Sequence, residues 1–227
     1  MLIEPPFYRL YHDQYSLVKY PLGLGYLSGA VIKNTNWSVQ TYNADFNVRK
    51  KVFDPENDYI AGAGFKRYLS SLKDYSLPIW KEVKNSIEDY NPSVVGISAK
   101  TQNFVSASMV AKIAKEINPD IKVIVGGVHP TMNGSKVLNC EDIDLLSISE
   151  GENTIVALLH ALEKNTELNS VNGIVFKDGD KIINTKPQSY VENLDSLDFP
   201  LTHAQKVLKD FDKYPKEAFG YIFASRG

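Results

Sequence analysis

The sequence predicts an α/β fold: a doubly wound, Rossmann-like parallel sheet of about five strands with flanking helices, followed by a C-terminal β-hairpin and a linker. Three observations predict it. Short apolar runs alternate with amphipathic ones about five times, and parallel neighbours need a crossover that a helix supplies. The run "SVVGIS" follows an amphipathic segment at once and reads as a strand buried on both faces. Finally, "VNGIVFKDGDKIINT" places Asp178-Gly179 between two alternating runs, the signature of a hairpin.

In chain order, "MLIEPP" is a short strand ended by two prolines, residues 24–34 ("LGYLSGAVIKN") a helix, and residues 37–42 ("WSVQTY") a strand of period two. Residues 43–78 carry mixed charge, "RKK" and "AGAG", and read as an insertion with some helix over 65–72. Ile79, Val83 and Ile87 then recur on one helical face of "IWKEVKNSIEDYNP", and "SVVGIS" follows. Next come a helix over 104–117, the strand "IKVIVGG", a short helix near 135–139, the strand "IDLLSIS" and the helix "TIVALLHALEKN". Residues 1–165 thus form one Rossmann-like domain and 166–190 a hairpin extension. Residues 186–214 are mostly connector, with the acid-rich "NLDSLDFP" ended by Pro200 and a short helix near 204–211, so 191–227 reads as a linker toward another domain.

Composition narrows the function classes. With 227 residues, 43% hydrophobic and 23% charged, the chain has enough apolar material for a full core. Its formal net charge of -2 lacks the basic surplus that drives sequence-independent nucleic-acid binding. No apolar run approaches the roughly 20 residues of a membrane span, and the N-terminus lacks a signal-peptide pattern, so a cytoplasmic protein is expected. One cysteine, Cys140, excludes an internal disulfide and an all-cysteine metal site, and reads as a small buried thiol.

In open parallel sheets the ligand crevice lies beyond the carboxyl ends of the strands. Four loops fall there. The first strand leads into a long aromatic loop, "EPPFYRLYHDQYSLVKYPLGLG"; "SVVGI" leads into Ser98-Ala99-Lys100-Thr101. After "IKVIV" comes Gly126-Gly127-Val128-His129-Pro130-Thr131, and after "IDLLSI" comes Ser149-Glu150-Gly151-Glu152 at a helix start. Each has a plain structural reading as a tight turn or a helix cap. Together on one edge they describe a pocket, because adjacent glycines let backbone approach an extended ligand while hydroxyls offer donors. Neither a G-x-G-x-x-G nor a G-x-x-x-x-G-K-[ST] motif is present.

The run "VVGISAKTQNFVSASMVAKIAKEINPDIKVIVGGVHPT" resembles the core of cobalamin-binding domains, in which a serine loop and a Gly-Gly loop surround the nucleotide tail of the cofactor. In order, "PLGLGYLSGAV", "GGVHPT", "SEGENT", the "GIVF" hairpin and "NLDSLDFP" resemble the N-terminal region of cobalamin-dependent radical S-adenosylmethionine (SAM) enzymes. That group includes anaerobic Mg-protoporphyrin monomethyl ester cyclase-like proteins. The likeness spans the chain except residues 43–78. It implies that 1–165 is a cobalamin-binding domain and that Ser98 and Thr101 contact the ribose, phosphate or dimethylbenzimidazole of the tail. Gly126 and Gly127 would make room for that tail, with Val128, His129 and Thr131 at the rim. Glu150, Gly151 and Glu152 would line the corrin edge, and Leu22 and Gly23 would complete the site. Lys100 departs from the leucine common in methyltransferase-type domains.

The D-x-H-x-x-G motif that supplies a cobalt ligand in the related methyltransferase modules is absent. The resemblance therefore implies a base-off cofactor whose lower face meets residues 4–24 without a histidine, with His12 in "LYHDQY" as the alternative cobalt ligand. His160 and His203 read as structural. The closing "GYIFASRG" has strand composition, and in the resembled family a strand ending in Ser-Arg-Gly leads into the three-cysteine motif that holds a [4Fe-4S] cluster and binds SAM. The expectation is a chain cut just before a C-terminal radical SAM domain, with residues 220–225 its first strand. Cluster and SAM would belong to the full-length parent, which transfers methyl groups or performs an oxidative cyclisation or rearrangement. The other readings are a flavodoxin-like nucleotide- or flavin-binding domain, and a cobalamin fold that has lost its cofactor.

Overall fold

A computed structural model describes residues 1–11, 15–48, 51–52, 62–72 and 74–220, with 51–52 and 62–65 as backbone alone. Its strands are β1 (Leu2–Glu4), β2 (Tyr15–Ser16), β3 (Thr41–Asn43), β4 (Lys51–Val52), β5 (Val94–Ser98), β6 (Lys122–Gly126), β7 (Leu145–Ser147), β8 (Ile174–Asp178) and β9 (Lys181–Asn184). Seven of them form one sheet in the order β3-β1-β5-β6-β7-β8-β9, and β2 pairs with β4 separately. From β3 through β7 every pairing is parallel. Then β8 runs antiparallel to β7 and turns back into β9 through Gly179, whose φ is +57°. The expected doubly wound sheet and the hairpin at Asp178-Gly179 are both present.

The helices among the described residues are α1 (Tyr8–Tyr11), α2 (Leu22–Asn34), α3 (Gly62–Ser71), α4 (Pro78–Tyr90), α5 (Phe104–Ile117), α6 (Val128–Asn133), α7 (Glu152–Lys164) and α8 (Ala204–Val207). One sheet face is closed. There α4 sets Ile79, Trp80, Val83 and Ile87, and α5 sets Ala107, Val110, Ala111 and Ala114, against Ile3, Val95, Ile97, Val123, Val125 and Leu146. Alternation along each strand sends the intervening residues to the other face. On that side Val31 of α2 and Leu158 and Leu159 of α7 share a cluster with Val94, Ile124 and Leu145.

Three departures from the sequence reading have physical causes. The strand expected over 37–42 is shifted to Thr41–Asn43, because Trp37 and Val39 pack against the second face instead. Helix α6 lay unread in "GVHPTMN" because of its proline. Pro130 is the third residue of that helix, where the missing N–H costs no intrahelical bond. Residues 186–214, expected as connector, are built of short turns, and Ala204, Leu208 and Tyr214 bury with Tyr20 and Leu22 in a third apolar cluster. Leu208 also forms an isolated parallel bridge to Thr41 at the sheet edge. The strand expected at 220–225 lies outside the described residues beyond Gly220, as does His12. Among the described residues no helix is long and apolar enough to cross a membrane.

Candidate ligand site

Strand order reverses between β1 and β5, which makes their carboxyl ends the switch point where open α/β sheets take ligands. Beside it a cavity of about 1350 Å³ lies between the second sheet face and helices α2 and α7. Its sheet wall is nearly bare. Register places Ser98 beside Gly126, and a Cβ on Gly126 would stand 3.5 Å from the Ser147 Cβ, so the row nearest the carboxyl edge is Ser98, Gly126 and Ser147. One row deeper, Leu2, Gly96 and Ile124 are neighbours. The opposite wall comes from Gly23, Leu24, Leu27 and Val31 of α2 and from Ile155, Leu158 and Leu159 of α7.

The two adjacent glycines serve different ends. Gly126 continues β6 and leaves the wall open. Gly127 has φ +103°, a region that L side chains rarely adopt, and a Cβ there would meet the Ala99 carbonyl oxygen at 2.8 Å. This corner joins two loops, since the Ala99 N–H donates to the Gly126 carbonyl (2.8 Å) and the His129 N–H donates to the Ala99 carbonyl (3.0 Å). Thr131 extends the tie: its hydroxyl donates to the Gly127 carbonyl (2.8 Å) and accepts the Ser149 N–H (2.9 Å). Ser149 itself stands at φ +68°. Non-glycine residues held there cost on the order of 1–3 kcal/mol and cluster at binding sites. A strap crosses the cavity, contributing Tyr190, Val191, Glu192 and Leu194 to its lining. It is pinned at one end by the Val191 N–H on Glu150 Oε2 (2.9 Å) and at the other by Lys33 Nζ on the Ser196 carbonyl (2.9 Å).

Of the residues singled out from sequence, Gly23, Ser98, Gly126, Gly127, Val128, Thr131, Glu150, Gly151 and Glu152 line this one cavity. Thr101, His129 and Leu22 stand outside its lining. Thr101 Oγ1 and the Asn133 amide both sit 3.3 Å from His129 Nδ1, and the imidazole stacks on Phe104 with ring centroids 4.1 Å apart. Partial burial lowers the His129 pKa. Leu22 belongs to the third cluster, with Tyr20 and Ala204. Lys100, in the hydroxyl loop, turns to the end of β1 and pairs with Glu4 at 3.0 Å. The sequence reading missed Gly96, Ser147 and the apolar wall of α2 and α7. Gly96 did carry a signal, because a lone glycine inside a strand marks a close backbone approach. His160 Nε2 lies 3.1 Å from the Asn34 carbonyl, and His203 Nε2 lies 2.8 Å from Asp198 Oδ2. Among the described residues no cluster of three or more His, Cys, Asp or Glu is placed to hold a metal ion.

A slot this large exceeds the roughly 300–1,000 Å³ of ordinary ligand pockets. It is floored by glycine backbone, walled by leucines and edged by hydroxyls, the lining of a ligand-binding α/β domain. The chain belongs to the B12-binding domain family, whose model matches residues 11–159, and cobalamin is its cofactor. Among curated proteins it is 34% identical over 151 residues to an uncharacterised methyltransferase of Pyrococcus horikoshii, covering 65% of this chain and 32% of that protein. It is 33% identical over 121 residues to the anaerobic magnesium-protoporphyrin IX monomethyl ester cyclase of Rubrivivax gelatinosus, covering 51% of this chain and 22% of that one. The chain thus spans about a third or less of these relatives. The fold is shared with the radical SAM methyltransferase TsrM of Kitasatospora setae, at TM-score 0.56 and 13% identity over 83% of this chain and 30% of that one. It is shared likewise with the cobalamin-dependent SAM radical enzyme OxsB, at TM-score 0.58 and 17% identity over 83% of this chain and 22% of that one.

Proposed function

We propose that the chain is the cobalamin-binding domain of a cytoplasmic radical SAM enzyme, and that the slot beside Gly96 and Gly126 holds the nucleotide tail of the cofactor. The slot itself carries the reading. A cavity lined along one sheet face by glycine backbone and apolar side chains is an arrangement that a bound flat ring completes. In this reading Ser98 and Ser147 offer hydroxyls to ribose and phosphate, Thr131 holds the rim through its bonds to Gly127 and Ser149, and the Gly126-Gly127 corner passes the tail inward. Glu150, Gly151 and Glu152 stand beside the ring that remains outside. Thr101 acts at one remove by fixing His129 on Phe104.

The parent enzyme's activity rests on the relatives. Solved structures of TsrM and OxsB carry cobalamin together with a [4Fe-4S] cluster or SAM, and both are several times longer than this chain. By that analogy a radical SAM domain with a three-cysteine cluster motif completes the protein. Bound cobalamin would supply methyl-carrying or one-electron chemistry, while this chain holds the cofactor and excludes competing reactions.

Titration of the purified chain with hydroxocobalamin, followed by visible absorption, tests the site. We expect saturable binding that Gly126→Val and Ser98→Leu each weaken at least tenfold, since both fill the slot's upper row. No spectral change in wild type, or full binding by Gly126→Val, overturns the assignment. The parental reading is tested on the gene: absence of a C-x3-C-x2-C motif within about ten codons after Gly227 refutes it.

A further inference from the structure

We infer that this domain selects its corrinoid by the lower base of the tail, taking a benzimidazole-type base and discriminating against a purine; the inference rests on the tail occupying the slot proposed above. Side-chain polarity changes along the slot, which has polar residues at the carboxyl edge, an apolar belt behind them, and Ser38, Asn91 and Ser93 at the amino ends of the strands. Ser98 and Ser147 occupy the row nearest the carboxyl edge, beside Gly126. The next row is Leu2, Gly96 and Ile124, faced by Leu24, Val31 and Leu158 from the helices. All of the larger side chains in this second belt are buried, Leu158 to 1% exposure and Val31 to 2%. None of them bears a side-chain donor or acceptor.

The tail is covalently ordered as phosphate, ribose, base. Two residues of strand rise about 6.6 Å, roughly the step from phosphate to base. With the phosphate and ribose among the hydroxyls, the base therefore falls in the belt of Gly96, Ile124 and Leu158. Gly96 lowers the floor there and lets the Leu2 side chain lie over it, since a Cβ on Gly96 would stand 2.8 Å from Leu2 Cδ2. A dimethylbenzimidazole fills this belt with carbon. Adenine brings an exocyclic amine and additional ring nitrogens, whose bonds to water are lost without replacement.

The test compares three ligands on the intact chain by visible absorption: hydroxocobalamin, the corresponding corrinoid with an adenine lower base, and cobinamide, which has no nucleotide. The inference expects the adenine form to bind at least about tenfold more weakly than hydroxocobalamin. Gly96→Val should cost hydroxocobalamin at least tenfold while leaving cobinamide unchanged, and circular dichroism checks that the variant is folded. A second variant, Leu158→Gln, places an amide in the belt and should narrow the ratio between the two bases. Equal affinity for both bases, or a preference unmoved by Gly96→Val, overturns the base selectivity and leaves the cobalamin site standing. Failure of all three corrinoids to bind removes the site and the selectivity together.

Discussion

At the residue scale, Gly126 and Gly127 adjoin in sequence yet answer to different constraints. Gly127 is fixed by its own backbone: φ is +103°, and any Cβ would press on the Ala99 carbonyl oxygen at 2.8 Å. That oxygen cannot withdraw, since it accepts the His129 N–H at 3.0 Å. Gly126 is a β-strand residue whose added Cβ would make only an ordinary contact with Ser147, at 3.5 Å. Substitution to alanine should therefore separate them. Gly127→Ala is expected to lower unfolding stability by about 3 kcal/mol through strain and overlap, and Gly126→Ala by less than about 1 kcal/mol. Urea denaturation reads the difference as a shift in midpoint at constant slope. Equal losses at the two positions would show that the positive φ of Gly127 is not what its glycine serves.

Among elements, the loop after β1 and the loop after β3 are bound to each other through Asp45. Its Oδ1 accepts the N–H groups of Phe7 (2.7 Å) and Arg9 (3.2 Å), and its own carbonyl accepts the Leu17 N–H (2.8 Å). Burial pushes this carboxyl from 3.8 up to about 6, only partly offset by the donors of Phe7, Arg9 and Tyr8. A carboxyl that binds its proton more tightly when folded adds stability below about 3.8 and loses it as pH rises through about 6. Relative to Asp45→Asn, wild type should lose on the order of 3 kcal/mol between pH 4 and pH 7, measured by urea unfolding at each pH. A pH-independent difference would show that the buried carboxyl does not titrate there. Such cross-loop ties mark the limit of what sequence discloses. Helices α4 and α5 and strands β5 and β6 were legible because their apolar spacing is local and both ends carry turn signals. The four loops of the carboxyl edge were legible because strand order alone places them together. The α2 and α7 wall was not, since residues such as Leu24 and Leu158 have the same pattern whether they face a packed core or a cavity. Only the depth of the neighbouring strand residues, Gly96 and Gly126, distinguishes the two cases.

For the whole molecule, the consequence is a core closed on one side of the sheet and hollow on the other. Val83, Ile87, Val110 and Ala114 are fully or nearly fully buried against the first face, so that half gains nothing from a ligand. Leu24, Val31, Leu158 and Leu159 are also buried but line the cavity, so a ligand held there touches this half alone. Cofactor binding should then stabilise the domain unevenly. At a free concentration one hundred times Kd, linkage adds about 2.7 kcal/mol, which for a chain of this size corresponds to a rise in Tm of roughly 5–10 °C. Hydrogen exchange should place the added protection on α2, α7 and the strap at 190–194, with α4 and α5 little changed at times short of global opening. The strap is the sharpest reporter. Val191 is held by Glu150, which itself lines the cavity, so a ligand at that edge restrains both partners of the 2.9 Å bond at once. Protection that appears first on α4 and α5, or a Tm rise with no change on α2 and α7, would mean that cobalamin binds elsewhere and that the hollow face is filled by something other than its tail.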